Sequence, residues 1–296
     1  MNTPLITRRR FLKSTTIATT AALSAGFDAF AAGAKWPVGC FNRAWAQWPS
    51  AVALAGIRAA GYRLVGFISN HSDNPVTLPA ATAESLAALK QKLAASGLQA
   101  NMTALRYNEN APDEELEKSV LAQLDHSQVI GVRHVMSFGT DKPANHGRYL
   151  RLMTKAAGWA AARKLQLVLK PHGGITASAD EIQRCLDAVA HPNFKVWYDA
   201  GNIIHYTGKN PVEELEPIAK HVTGFCAKDC PGSGGEVMIQ FGTGKVDFKD
   251  VFAVLKAAGF NGPIMVEGIK LGATPEETKD LAKANREYLE NVLREL

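Results

Sequence analysis

The chain of 296 residues carries 33 Lys and Arg residues against 28 Asp and Glu residues, which gives a formal net charge of +5. No run of basic residues with interleaved aromatic residues follows residue 34, and this argues against a nucleic-acid-binding protein. No stretch has the ~20 strongly apolar residues that a transmembrane helix requires, so we expect no stable membrane span.

The first 34 residues resemble a twin-arginine export signal. The sequence Arg8-Arg9-Arg10-Phe11-Leu12-Lys13 precedes a mildly apolar run, and this run ends in small residues that suit cleavage. A membrane anchor is the alternative, which the threonines and Asp28 within the run weaken. We therefore expect a twin-arginine signal peptide over residues 1–34, an interaction with the export machinery, and a periplasmic or extracellular location.

The mature chain of residues 35–296 is nearly neutral. Removal of the signal takes away four basic residues and one acidic residue, so 29 Lys and Arg residues remain against 27 Asp and Glu residues. The basic isoelectric point is therefore largely a property of the signal. A chain of this length is typical of one large α/β barrel.

From residue 36 onward, short β-branched runs alternate with amphipathic or Ala-rich runs. The predicted strands are 36–42, 63–68, 99–105, 133–138, 165–170, 195–199, 222–228 and 263–267. The predicted helices are 49–60, 82–96, 112–130, 145–164, 178–190, 211–220, 247–258 and 274–294. Eight β-then-α units predict a single (β/α)8 TIM barrel over residues 35–296. An open doubly wound sheet would usually have a glycine-rich phosphate loop after its first strand, and residues 39–43 do not form one.

The fifth strand ends in Lys170-Pro171-His172-Gly173-Gly174. Because successive side chains of a strand point to opposite faces, Lys170 and His172 fall on one face, at the carboxyl end where barrel enzymes place their sites. We predict that both are catalytic. In the alternative interpretation Lys170 reaches solvent and His172 caps a turn.

The sixth and eighth strands end in carboxylates, Asp199 and Glu267. Glu267 is the preferred candidate for a general base, with Asp199 or His172 as its partner, although either carboxylate could instead form a structural ion pair. Lys170 between two carboxylates would keep its proton, which favours an electrostatic role over a Schiff base. Asp199, Glu267 and His172 could also bind a divalent metal.

Four further residues are predicted to bind substrate: Asn202, His205, Lys228 and Trp45. His205 is expected on a loop beyond the sixth strand, and Trp45 could form an apolar wall for a sugar ring or belong to the core. Lys228 could instead pair with its neighbour Asp229. Cys40, Cys185, Cys226 and Cys230 are expected to be free thiols, although Cys226 and Cys230 could pair after export.

Four segments together resemble the xylose-isomerase-like TIM-barrel superfamily, which includes sugar phosphate isomerases, ketose epimerases and endonuclease IV-like proteins. They are Asp199-Ala-Gly-Asn202, Ala227-Lys228-Asp229, Gly242-Thr-Gly244-Lys-Val-Asp247-Phe248 and Gly259-Phe-Asn-Gly262-Pro-Ile-Met-Val-Glu267. The resemblance implies a divalent metal (Mn, Mg or Zn) held by a Glu on strand five, an Asp on strand six, a His on strand seven and a Glu on strand eight.

Asp199 and Glu267 match this pattern, whereas Lys170 and Cys226 stand where the strand-five Glu and the strand-seven His are expected. Two arrangements remain open. Either His172 or His205 supplies substitute ligands and Lys170 turns away, or the Lys170 ammonium lies between Asp199 and Glu267 in place of a metal.

The resemblance implies an isomerase or epimerase that moves a proton next to a carbonyl on a sugar or keto-sugar derivative, with a small carbohydrate as its partner. A lyase or hydrolase acting on a keto-glycoside would use the same first step and then expel a leaving group. A barrel that only binds carbohydrate is the third possibility, because two expected ligand positions are altered.

Overall fold

A computed structural model describes residues 36–69, 71 and 79–296. Within Val38–Leu296, eight parallel strands pair in sequence order, and β1 also pairs with β8, so the barrel is closed. The strands are β1 (Val38–Phe41), β2 (Leu64–Phe67), β3 (Gln99–Ala104), β4 (His134–Ser137), β5 (Gln166–Leu169), β6 (Phe194–Tyr198), β7 (Val222–Ala227) and β8 (Ile264–Val266). The predicted (β/α)8 barrel is therefore confirmed.

Nine α-helices lie within the described residues: α1 (Ser50–Ala59), α2 (Ala83–Ser96), α3 (Asp113–Ile130), α4 (His146–Ala162), α5 (Ala179–Val189), α6 (Ala200–Thr207), α7 (Pro211–Leu215), α8 (Phe248–Ala257) and α9 (Pro275–Arg294). Short 3₁₀ helices cover Asn42–Trp45, Pro143–Asn145, Gly174–Thr176 and Glu216–His221. In the part of the chain that the structure describes, no helix combines the length and the apolar character of a membrane span.

The helix boundaries follow local capping chemistry. The Ser178 hydroxyl accepts the Glu181 N–H while the Glu181 carboxylate accepts the Ser178 N–H, which satisfies two backbone donors at the start of α5. Thr274 accepts the Glu277 N–H in the same way at the start of α9. Four glycines that follow helices have positive φ angles, which end each helix in a left-handed conformation: Gly61, Gly97, Gly131 and Gly259.

Two helical segments differ from the sequence prediction. Residues 200–207, which were expected to be a loop, form α6, because Asp199 caps its first turn and Gly208 ends it in a left-handed conformation. The helix predicted over residues 211–220 is α7 followed by a 3₁₀ turn. Pro217 lies in that turn and cannot donate the backbone hydrogen bond that an α-helix needs.

Large apolar side chains fill the inside of the barrel, including Phe41, Met102, Met136, Val168, Trp197, Cys226 and Met265. Gly224 on β7 makes room for the Trp197 ring, since a Cβ atom there would lie 2.0 Å from the ring. Cys40, Cys185, Cys226 and Cys230 are all buried free thiols, so the disulfide considered between Cys226 and Cys230 is not formed.

Candidate active site

A layer of charged residues lies at the carboxyl ends of several strands, each two positions beyond an apolar residue of the core. Arg43, Lys170, Asp199, Lys228 and Glu267 follow Phe41, Val168, Trp197, Cys226 and Met265 respectively. Because strand side chains alternate with a period of two, the same inward face that supplies the core also supplies this charged layer. Four of the five are buried, with at most 3% of each residue exposed: Lys170, Asp199, Lys228 and Glu267.

Lys170, Asp199, Lys228 and Glu267 follow β5, β6, β7 and β8 in that order, so cations and anions alternate. We call these four buried residues the ring. The Lys170 Nζ atom lies 3.1 Å from Asp199 Oδ2 and 2.5 Å from Glu267 Oε2. The Lys228 Nζ atom lies 3.4 Å from Asp199 Oδ2 and 2.8 Å from Glu267 Oε1. Each ammonium therefore contacts both carboxylates. The structure has the second of the two arrangements left open by the sequence, with Lys170 between Asp199 and Glu267.

Two more donors complete the surroundings of the Glu267 carboxylate. Arg43 Nη1 donates to Oε1 at 2.6 Å, and the Cys226 thiol donates to Oε2 at 2.9 Å. Burial alone would raise the pKa of Glu267, but the charges of Lys170, Lys228 and Arg43 hold it well below its ordinary value. Glu267 is thus an anion at neutral pH.

The protonation states of Lys170 and Cys226 follow from the same network. Burial opposes the charge of Lys170, but the negative charges of Glu267 and Asp199 outweigh it and raise the pKa of Lys170 above its ordinary value. Burial, reinforced by Asp199 and Glu267, raises the pKa of the Cys226 thiol well above its ordinary value. Lys170 is therefore a permanent cation, and Cys226 is a neutral hydrogen-bond donor.

Asp199 connects the ring to helix α6. Its Oδ1 atom accepts the backbone N–H of Asn202 at 2.9 Å, whereas Oδ2 faces the two lysines. The Asn202 amide donates to Pro171 O at 2.6 Å and accepts from Lys228 Nζ at 3.1 Å. Asn202, predicted to bind substrate, therefore links the ends of β5, β6 and β7, with both polar atoms of its side chain engaged by the protein.

His172 borders a cavity of about 310 Å³ at the same end of the barrel. The cavity is also lined by Arg106, Phe138 and Glu109. The His172 ring packs against Phe138 with the ring centroids 5.2 Å apart, and the Tyr206 hydroxyl lies 3.3 Å from both ring nitrogens. Part of the ring is open to the cavity. The remainder of the ring is buried, and this burial is the main cause that lowers the pKa of His172 to about 4. The positive charges of Lys170 and Lys228 lower it further, so the imidazole is neutral at pH 7.

Trp45 and His205 lie outside this cluster. Trp45 is fully buried against Gly56 of α1, which corresponds to the core alternative considered for it. His205 lies on α6 rather than on a loop, because Asp199 and Gly208 delimit that helix. Its Nδ1 atom is 2.7 Å from Gly235 O, so the side chain holds the segment that follows β7.

Lys228 and Asp229 do not pair with each other, because consecutive strand residues face opposite sides. Lys228 enters the ring, and the Asp229 carboxylate is turned toward residues 230–246. There it accepts four backbone N–H groups at 2.8 to 3.1 Å, those of Cys230, Gly242, Gly244 and Val246. Asp229 thus fixes the fold of this segment.

The layer also contains residues that the sequence analysis missed. Arg43 follows β1, and Arg106 follows β3 with its guanidinium stacked 4.6 Å from the centre of the Phe138 ring. Both lie just beyond a strand, so the rule that selected Lys170 and Glu267 would have selected them if it had been applied to strands one and three. Tyr206 gave no such signal because it lies on the unpredicted helix.

The residues at the centre of the ring do not fit a divalent metal. Asp199, Cys226 and Glu267 offer ligand atoms within 4.8 Å of one another. A metal bound to these carboxylates at about 2.0–2.6 Å would however lie in the position of the two ammoniums. An ammonium at ~3 Å opposes a divalent ion by on the order of 10 kcal/mol at an effective dielectric constant of about 20. His205 is directed to Gly235 O, and His172 borders the cavity beside the ring rather than its centre.

Comparisons with known proteins agree with this architecture. The family model described as a xylose isomerase-like TIM barrel matches residues 54–292. No curated protein matches the sequence. Similar solved structures include a xylose isomerase-like TIM barrel protein from Mycobacterium smegmatis in complex with magnesium. That chain is 16% identical, with a TM-score of 0.71, and the match covers 90% of this chain and 98% of the other.

Two similar structures are sugar epimerases. D-allulose 3-epimerase from Methylomonas sp. in complex with D-allulose is 18% identical, with a TM-score of 0.69, and the match covers 86% of this chain and 96% of that one. D-psicose 3-epimerase from Clostridium cellulolyticum H10 with D-tagatose is 14% identical, with a TM-score of 0.70 and coverage of 87% and 99%. At these identities the likeness establishes the fold.

Proposed function

Because this chain belongs to the xylose isomerase-like TIM barrel family, we propose that it is a sugar isomerase or epimerase that moves a proton at the carbon beside a carbonyl group. The observation that carries the proposal is the set of buried cations at the barrel mouth. Lys170 lies 5.6 Å from the centre of the Phe138 ring, and Phe138 and the neutral imidazole of His172 line the cavity. Cations fixed near a carbonyl oxygen stabilise the negative charge that develops when the neighbouring carbon loses its proton.

Lys170, Lys228 and Arg43 supply this electrostatic stabilisation. Their three positive charges face two carboxylates, so the cluster retains one net positive charge for an enolate oxygen. The positions are set before substrate binds, because each cation is already held by a hydrogen bond or an ion pair. Little reorganisation is then needed when charge develops in the transition state.

His172 is the group that we assign to proton transfer. A neutral imidazole has the lone pair that a base needs, and negative charge developing on an enolate oxygen nearby would increase its proton affinity. The Tyr206 hydroxyl lies beside the ring and can orient it. Glu267, the base favoured by the sequence, is held by four donors and has a lowered pKa, which supports a role in positioning the cations.

The substrate class that we propose is a free ketose, aldose or keto-sugar derivative. The cavity of about 310 Å³ is at the small end of ligand sites. Its polar wall includes Arg106 and Glu109, and Phe138 offers an apolar surface to the C–H face of a sugar ring. Export through the predicted signal, which lies outside the described residues, would favour free sugars over phosphorylated ones.

Incubation with a panel of free aldoses, ketoses and keto-glycosides in deuterated water tests the proposal. Nuclear magnetic resonance should detect deuterium at a carbon beside the carbonyl, without fragmentation. His172→Gln should lower the exchange rate about 100-fold or more. His221→Gln is the matched control, because His221 precedes β7 at the opposite end of the barrel.

Other outcomes would assign a different activity. Exchange accompanied by sugar fragments would support the keto-glycoside lyase or hydrolase. Binding without exchange or fragments would support a carbohydrate-binding barrel. Equal exchange rates for His172→Gln and His221→Gln would contradict the role assigned to His172.

A further inference from the structure

We propose that Lys170 and Lys228 together occupy the position and supply the charge of a divalent cation, and that both must be removed before this centre binds one. The native centre would then hold no divalent metal. The inference rests on the ion-pair geometry alone and does not depend on which reaction the protein catalyses.

The first support is that the two ammoniums divide the same carboxylate oxygens. Both lie close to Asp199 Oδ2, at 3.1 and 3.4 Å. Lys170 then contacts Oε2 of Glu267 and Lys228 contacts Oε1, at 2.5 and 2.8 Å. Two ammoniums carry the charge of one divalent ion, and here they bridge the same two carboxylates that such an ion would bridge.

The second support is that every carboxylate oxygen of the ring already faces a hydrogen-bond donor or a cation. Asp199 Oδ1 accepts the Asn202 N–H, and both oxygens of Glu267 accept further bonds from Arg43 and Cys226. Asp199 Oδ2 has no directed hydrogen bond and is neutralised by the two lysines. Removal of both lysines would therefore expose this oxygen as an uncompensated anion.

The third support concerns the number of substitutions needed. When Lys170 alone is replaced, the Lys228 ammonium still lies 2.8 Å from Glu267 and 3.4 Å from Asp199. A cation therefore remains against both carboxylates and continues to oppose a metal. A third carboxylate at position 170 does not remove that obstacle, so the single substitution should have only a small effect.

Titration of chelator-treated protein with MnCl₂, followed by calorimetry and by the electron paramagnetic resonance signal of free Mn²⁺, tests the proposal. The variants are Lys170→Glu and Lys170→Glu/Lys228→Met. The matched control is Lys90→Glu/Lys118→Met, which makes the same change of net charge at two exposed helix positions. Circular dichroism establishes that each variant is folded.

The wild type and the control should bind Mn²⁺ only weakly, with Kd near or above about 1 mM, and Lys170→Glu should stay within about tenfold of them. The double variant should bind one Mn²⁺ at least about 100-fold more tightly than the wild type. Tight stoichiometric Mn²⁺ in the wild type would overturn the proposal, whether or not the double variant folds. Affinity in Lys170→Glu equal to that of the double variant, or no gain in a folded double variant, would overturn it as well.

Discussion

Replacement of Lys170 by Met should destabilise the fold far more than loss of a surface lysine. Methionine keeps most of the side-chain volume but removes the charge, so Asp199 and Glu267 would face each other with one bridging ammonium fewer. Lys170 is 1% exposed and its two partners are no more than 3% exposed. Removal of one partner from a buried ion pair typically costs about 3–5 kcal/mol, because the remaining charge stays buried.

The chain offers a control with the same contact distance but a different environment. Lys155 and Glu117 also approach to 2.5 Å, but their side chains are 54% and 30% exposed. Lys155→Met should therefore cost no more than about 1 kcal/mol. The comparison separates the effect of burial from the effect of ion-pair distance.

Urea denaturation at pH 7 measures both free energies of unfolding. The pKa of Glu267 is lowered in the folded state, so its stabilising contribution is present above its unfolded pKa of about 4.3 and is lost as the pH falls below that value. The destabilisation by Lys170→Met should then be largest near neutral pH and decrease in acid. Similar losses for Lys170→Met and Lys155→Met at pH 7 would refute the reasoning.

Three further outcomes are expected. Arg8→Lys/Arg9→Lys should leave full-length precursor in the cytoplasm, and unchanged export on fractionation would contradict the predicted signal. The native protein should react slowly with a thiol reagent, because all four cysteines are buried, and the denatured protein should show four reactive thiols. A thiol that reacts fast in the native protein would contradict this arrangement. Nuclear magnetic resonance should show that His172 titrates near pH 4, and its pKa should rise in Lys170→Met because one cause of the lowered pKa is removed. The folded pKa lies below the unfolded value of about 6.5, so protonation of His172 should lower the free energy of unfolding as the pH falls from 6.5 to 4.

The sequence predicted the barrel and the positions of its central charges well. Eight alternating units specify a closed parallel barrel, and the carboxyl ends of parallel strands converge, so the sequence alone places Lys170, Asp199, Lys228 and Glu267 at one mouth. The contact of each lysine with both carboxylates could not be predicted, because it depends on side-chain rotamers and on the stagger between strands.

Residues outside the strands were harder to place. Trp45 follows β1 on a 3₁₀ turn that directs its ring toward α1, and strand periodicity carries no information about that direction. His205 and Tyr206 depend on α6, a helix of eight residues that was too short to be recognised by its apolar pattern. Its boundary residues, Asp199 and Gly208, are visible in the sequence, but Asp199 is interpreted there as a catalytic group, a metal ligand or an ion-pair partner and not as a helix cap.

The Asp199 carboxylate limits how this site can be altered by mutation. One oxygen holds the first turn of α6, and the other neutralises the lysines. Asp199→Ala would remove both at once, shifting the helix that carries Tyr206 while unbalancing the charges, so a loss of activity in that variant would have two inseparable origins. Asp199→Asn keeps an oxygen for the helix and replaces the charged oxygen that faces the two lysines by a neutral NH₂ group. Asp199→Asn therefore changes the charge of the ring while it keeps the helix that holds Tyr206 against His172.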